Sequence, residues 1–481
     1  MLPLKSDRRS EAGNHSSKYE KKPPVVCFKL NIFWGSGATV KIFRNRLAIS
    51  GALGAVLLIV GLIVGAGVGY AYVASAGGAG TTHTVTATTT VSGTAGPVTY
   101  TIGSVQPLTG DYGSYGQKFQ NSVDLAVAQM NANLTAAGSN VQFKVVHADD
   151  GGTPSGALTA VTTEFQSSGV QVVIGPLTSA EVKGTIQFAQ QNHIVIMPGA
   201  ATATSLTGIS PYLYRPGQPG DQFEGTVIAN SVIQSGGKNV VYIYRDDTSE
   251  HGTFNISSAI MTAAGLHVMG IAIPPSDTSH PPEYSAQVQT ADADASTFLS
   301  GGGTTSNTVV VLGAGGTEAQ NVFTHAATST NLGKLRWFGI ESLQDPTLLG
   351  SSVGSFMSQV SLTIATPQVL NSPQFQYFNK TYTAKYGSGP GPFSNYFYDN
   401  AWIAMLSVLA AGSYSGDKII QVLPAVTNHF FGSSSTGIWL VHNDQSIAAY
   451  DVLKCVTSGG APTYIKIGSY NAGTNQFILT G

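Results

Sequence analysis

The chain has 481 residues, enough for two or three domains, and only 10% of them are charged, well below the usual quarter. The formal net charge is -2, and the two cysteines, Cys27 and Cys455, lie on opposite sides of a long uncharged segment. These values exclude a disulfide framework and a Cys-rich metal site, and the large C-terminal part carries no nucleic-acid footprint.

Residues 1–46 are basic, with Lys41, Arg44 and Arg46 closest to the uncharged stretch that follows. Residues 47–73 contain no charged residue and are long enough to span a bilayer as one transmembrane helix. Positive flanking charge puts the N-terminus in the cytoplasm and the C-terminal domain outside, as a single-pass cell-membrane protein. A cleaved signal peptide, with Ala74-Ser75-Ala76 as its cleavage site, is the rival reading. Residues 74–97 are rich in Gly and Thr and read as a flexible stalk.

From residue 98 onward the pattern is globular. Apolar runs at 100–105, 141–146, 170–174 and 194–197 alternate with helical patterns. That alternation predicts a parallel sheet with helices on both faces. Residues 170–207 are the clearest case. Two short apolar strands end at Gly175-Pro176 and Pro198-Gly199, and each gives way to small, hydroxylated residues. In open α/β sheets, ligands lie beyond the carboxyl ends of strands, and small residues let them approach backbone N–H groups. The stretch therefore points to a small polar ligand, against the alternative of an ordinary crossover with solvent-facing turns.

The segment Tyr214-Arg215-Pro216-Gly217-Gln218-Pro219-Gly220 reads as a boundary or hinge. The same architecture then repeats, with strands at 239–244, 267–273, 308–312 and 335–338. Residues 292–307 read as a loop insertion, and 361–367 as a strand able to cross back to the first lobe. Two long helices are expected around 372–386 and 394–411, and strands or hairpins from 437 to the end. The expected division is lobe 1 at 98–219 with about 360–437, and lobe 2 at 220–359 with about 438–481. Asp149 and Asp150 are expected to cap a turn and a helix start. No HExxH, P-loop or G-x-S-x-G pattern is present, so no catalytic residue, metal site or cofactor is assigned.

Several ordered pieces resemble the type I periplasmic solute-binding proteins, in the leucine/isoleucine/valine-binding branch that serves ABC importers. They include Pro107-Leu108-Thr109-Gly110, Tyr115-Gly116-Gln117, Asp149-Asp150 and Gly175-Pro176-Leu177-Thr178-Ser179. Pro198-Gly199-Ala200-Ala201-Thr202, Tyr244-Arg245-Asp246-Asp247 and Trp337-Phe338-Gly339-Ile340-Glu341 continue the series. The resemblance runs from about residue 98 to 467. It implies two Rossmann-like lobes, joined by three crossovers, that close on a ligand.

By the same resemblance, Ser179 and the loop with Gly199, Ala200 and Thr202 hold an amino acid's carboxylate or amine. Glu341 pairs with the α-ammonium, and Tyr115 lines the side-chain pocket. His251 stands where the family often has Tyr, and Gly315 and Gly316 where it has an aromatic residue. The implied function is a membrane-anchored, extracellular, non-enzymatic receptor that hands a branched-chain or related amino acid to an ABC permease. Alternatives are a ligand-sensing ectodomain, or a receptor for an amide, urea or sugar-like solute.

Overall fold

The computed structural model describes residues 96–480, apart from 111, 277–280, 370, 435–437, 439, 447 and 473. The basic segment, the spanning helix and nearly all of the stalk expected from the sequence lie outside the described residues. Among those described, no helix is long and apolar enough to cross a membrane.

Strand β1 (Val98–Gln106) is buried over its last six residues, as a strand covered on both faces must be. Helix α1 (Gly113–Ala136), β2 (Val141–Asp149), α2 (Pro154–Ser168), β3 (Val172–Ile174), α3 (Ser179–Gln191) and β4 (Val195–Met197) follow. The four strands form a parallel sheet in the order β2-β1-β3-β4. Helix α3 starts sharply because Thr178 and Glu181 form a reciprocal capping box.

Behind residue 220 the pattern repeats. Helix α4 (Asp221–Gln234), β5 (Asn239–Arg245), α5 (Glu250–Ala263), β6 (His267–Ile273), α6 (Ser285–Ser300), β7 (Thr308–Gly313), α7 (Gly316–Ala326) and β8 (Arg336–Gly339) build a second lobe. Short helices α8 (Pro346–Gly350) and α9 (Gly354–Gln359) lead to β9 (Thr363–Pro367). Helices α10 (Pro373–Tyr386), α11 (Ser394–Ala411) and α12 (Gly416–Asn428) return to the first lobe, where the Phe397 ring stacks 4.2 Å from that of Phe119. A small hairpin of β10 (Leu440–Val441) and β11 (Asp444–Gln445) precedes β12 (Ala449–Ser458), β13 (Ala461–Asn471) and β14 (Gln476–Leu479). The second sheet runs β14-β13-β12-β9-β8-β7-β5-β6, parallel from β6 to β9 and antiparallel beyond. The chain thus passes between the two sheets three times: before α4, after β9 and before β12.

Two sequence expectations need correction. Residues 292–307 are not a loop insertion, because α6 runs to Ser300. Its inward face is only Val288, Ala291 and Ala295, too weak a stripe to read beside Asp292 and Asp294. The 361–367 strand does not itself cross back: β9 pairs with β8 and β12 in the second sheet. Helix α12, whose interior holds Pro424, had no counterpart in the sequence reading.

One buried acid sets a stability prediction. Glu164 of α2 is 3% exposed; one oxygen accepts the Ser104 N–H at 3.3 Å and the other has no donor. Burial pushes its carboxyl up to about 8, and the Ser104 bond offsets part of that. As pH rises the unfolded chain therefore loses this proton first, and stability falls between about pH 4.5 and pH 8. The loss at pH 7 is roughly 3 kcal/mol. Thermal melts of Glu164→Gln should match the parent near pH 4 and lie above it at pH 7.5.

Candidate functional site

Strand order reverses between β1 and β3 in the first sheet and between β5 and β7 in the second. Beyond the carboxyl ends of strands at such switch points, an open α/β sheet leaves a crevice. In this chain the loops from the two sheets meet each other. Thr202 Oγ1 lies 3.2 Å from Ser249 Oγ, and the Arg245 guanidinium donates to the Tyr112 hydroxyl at 2.6 Å. Tyr115, half-buried on α1, lies beside Asp345, the N-cap of α8. Burial, with Asp345 beside it, pushes the Tyr115 hydroxyl up to about 12, so it stays protonated at neutral pH.

On the first-lobe side, Ser179 is buried at the first turn of α3, and its oxygen accepts the Ala203 N–H at 3.1 Å. That bond fixes the loop after β4. The same loop is held from behind by Arg215, which donates to the carbonyls of Ala201 (3.0 Å) and Ala203 (2.7 Å). Thr202 is buried, and its carbonyl accepts the Asp221 N–H at 3.0 Å. Gly199 has a packing reason of its own: a Cβ there would strike the Phe397 ring. Ala200 is half-buried beside it.

On the second-lobe side, Glu341 follows β8. Its Oε1 accepts from Gln218 Nε2 at 3.3 Å, while Oε2 is shielded from solvent and has no donor. Its backbone N–H donates to Glu224 Oε1 at 3.0 Å. Gly315 is the N-cap of α7, where a Cβ would come within 2.6 Å of Ser342 Oγ. The structure does not bring His251 into this group. Its side chain is 47% exposed and turned to Asp246, 2.8 Å from Nδ1. Of the residues singled out by sequence, then, Tyr115, Thr202 and Glu341 carry polar side chains that face the meeting of the lobes, while Ser179 is turned to the Ala203 N–H of its own lobe.

The aspartates after β2 divide their roles. Asp149 accepts from the N–H groups of Leu108, Thr109 and Gly151, which hold it below the usual carboxylate range although partial burial opposes them. Asp150 is buried against Glu181. Burial and that neighbour push Asp150 up to about 8.

Sequence reading missed most of the charge in the cleft. Asp221 and Glu224 sit in the first turn of α4, and Glu250 starts α5. Burial pushes Asp221 up to about 7; hydrogen bonds from Thr202 and Ser249 oppose this and the nearby Glu341 adds to it. Burial and Glu341 hold Glu224 well above the carboxylate range, and burial and Asp247 do the same for Glu250. The available signal was the Asp221-Gln222-Phe223-Glu224 start of a helix directly after the Pro/Gly boundary. Arg245, a second-lobe cation at this face, lies 3.1 Å from Asp247 and 3.6 Å from Glu318. Among the described residues, no group of three or more His, Cys, Asp or Glu is arranged to hold a metal ion.

Comparison with known proteins agrees with this architecture. Residues 99–459 match the family described as periplasmic binding protein. The Leu/Ile/Val-binding protein BraC3 of Rhizobium johnstonii is 29% identical over 181 residues, 37% of this chain and 48% of its own length. An uncharacterised protein of Methanocaldococcus jannaschii is 28% identical over 187 residues, 38% of this chain and 44% of its own length. The chain thus spans less than half the length of these curated relatives in alignment.

Solved structures share the fold at low identity. The leucine-binding protein LivK of Thermotoga maritima has a TM-score of 0.63 at 19% identity, covering 76% of this chain and 97% of that one. A solute-binding protein of an ABC transporter from Rhodopseudomonas palustris, in complex with 3,4-dihydroxybenzoic acid, has a TM-score of 0.62 at 18% identity. It covers 78% of this chain and 98% of its own. The chain belongs to the type I periplasmic binding proteins, the family that includes the Leu/Ile/Val-binding receptors, which are solute receptors and not enzymes.

Proposed function

We propose that this periplasmic binding protein is a membrane-tethered extracellular receptor that captures an amino acid, branched-chain or related, and delivers it to an ABC permease. The observation that carries the reading is Glu341. Its carboxyl stands beyond the end of a second-lobe strand, with one oxygen shielded from water and lacking a donor. A ligand ammonium is the group that such an oxygen pairs with most strongly. Ser179, Thr202 and the backbone at Gly199 and Ala200 take the ligand's other polar end from the first lobe, and Tyr115 lines the side-chain pocket. Gly315 borders the second-lobe wall. Ligand binding shifts the lobes toward the closed arrangement, which docks on the permease.

The tether is supported by the uncharged run at residues 47–73 and the basic residues before it. It keeps the receptor concentrated beside its permease. Uptake of radiolabelled amino acids by cells lacking this chain tests the proposal. Uptake of at least one amino acid should fall severalfold and return with the full chain. Unchanged uptake of every amino acid, with no second receptor present, would remove the transport role.

A further inference from the structure

Four carboxyl groups converge on the second-lobe wall of the cleft: Asp221, Glu224, Glu250 and Glu341. Glu224 Oε1 accepts the Glu341 N–H at 3.0 Å, and the two carboxyls lie beside each other. Asp221 accepts from Ser249 at 2.8 Å. Glu250 Oε2 stands over the end of β7, 3.4 Å from where a Cβ on Gly313 would lie. Other groups face this cluster without neutralising it. Arg245 on β5 is already shared by Asp247, Glu318 and Tyr112. Arg215 is committed to Asp444 and three other oxygens. Tyr396 of α11 and Tyr450 of β12 are neutral, burial holding both hydroxyls above their usual range.

An independent feature points at a ligand. Gln218, on the first crossover, is 8% exposed; its amide nitrogen is spent on Glu341, and its oxygen has no donor. Glu341 Oε2 and Glu250 Oε2 are likewise shielded and without donors. Buried acceptors left unpaired cost free energy, so a ligand that supplies donors gains from each. The three acceptors hang from different elements: the crossover, the loop after β8 and the start of α5. One α-ammonium presents its N–H groups at a single point, and an aliphatic side chain offers none.

We propose that the ligand of this cleft is a basic amino acid, whose side-chain ammonium or guanidinium reaches the Glu250 and Glu224 carboxyls while its α-ammonium pairs with Glu341. This rests on the amino-acid-receptor reading above and narrows it. Placing a second cation among these acids draws off protons that the ligand-free cluster holds, so binding releases protons and strengthens as pH rises.

The test is calorimetric titration of the purified full chain with L-lysine, L-arginine and L-leucine at pH 6 and pH 8, each in two buffers of different ionisation heat. Lysine or arginine should bind at least tenfold tighter than leucine. Its affinity should rise at least threefold from pH 6 to pH 8, with net proton release. In Glu250→Gln the preference over leucine should collapse at least tenfold; Glu250→Asp serves the same comparison if the glutamine variant does not fold. Leucine bound as tightly as, or tighter than, both basic amino acids overturns this inference and leaves the receptor reading standing. No binding of any amino acid overturns both.

Discussion

Glu341→Ala should raise the dissociation constant of the bound amino acid by roughly 30-fold to 1,000-fold, equivalent to about 2 to 4 kcal/mol. The magnitude follows from what the truncation leaves behind. The ligand's ammonium, taken out of water between the lobes, would face an apolar methyl group instead of a carboxylate. The ligand-free protein should respond in the opposite direction. Removing one of four neighbouring carboxyls relieves repulsion on Asp221, Glu224 and Glu250, each of which feels Glu341. The variant should therefore melt no lower than the parent without ligand and show a smaller rise with it. A thermal melt alongside a titration separates the two effects. A general loss of structure would lower both.

Arg215→Ala should cost about 3 to 5 kcal/mol of stability, the range for removing one partner of a buried ion pair. Arg215 is 4% exposed and grips Asp444 through two bonds, Nε to Oδ1 at 2.7 Å and Nη2 to Oδ2 at 2.6 Å. It also holds Ala201, Ala203 and Thr207. The backbone continues the link, with the Arg215 N–H donating to Asn443 O and the Gln445 N–H to Arg215 O. Two of the three crossovers are thereby laced together, and the loop bearing Thr202 is shaped by the same guanidinium. Arg215→Lys should recover only part of the loss, because an ammonium cannot reproduce the planar fork. Urea denaturation of both variants checks the ranking. A loss under 1 kcal/mol for the alanine variant would mean the crossovers are held elsewhere.

The parallel units were legible because their signals are local. The three residues of β3 are all apolar and buried, and Thr178 with Glu181 marks the start of α3. Glu341 stood out through the resemblance carried by Trp337-Phe338-Gly339-Ile340-Glu341, and its place just past a strand's carboxyl end agrees with that role. What the sequence hid depends on convergence. Gln218, the Asp221–Glu224 pair of α4, Glu250 and Glu341 come from separate elements, and nothing in the spacing between those elements says that their side chains meet. Helix α6 was hidden by a polar composition around a narrow alanine face. The place of β9 in the second sheet is set by pairing with β8 on one side and with β12, more than eighty residues later, on the other. His251 was marked by its place before Gly252, but in the first turn of α5 it turns outward to Asp246.

An ammonium-bearing solute is expected to close the two lobes through Glu341. The most direct measurement is a thermal-shift series on the full chain and on Glu341→Ala with amino acids, urea, a sugar and benzoate. A ligand that binds only the folded form raises the melting temperature. The melting temperature should rise with at least one amino acid, and Glu341→Ala should largely abolish that rise. A rise only with solutes that carry no amine, retained in Glu341→Ala, would contradict that expectation.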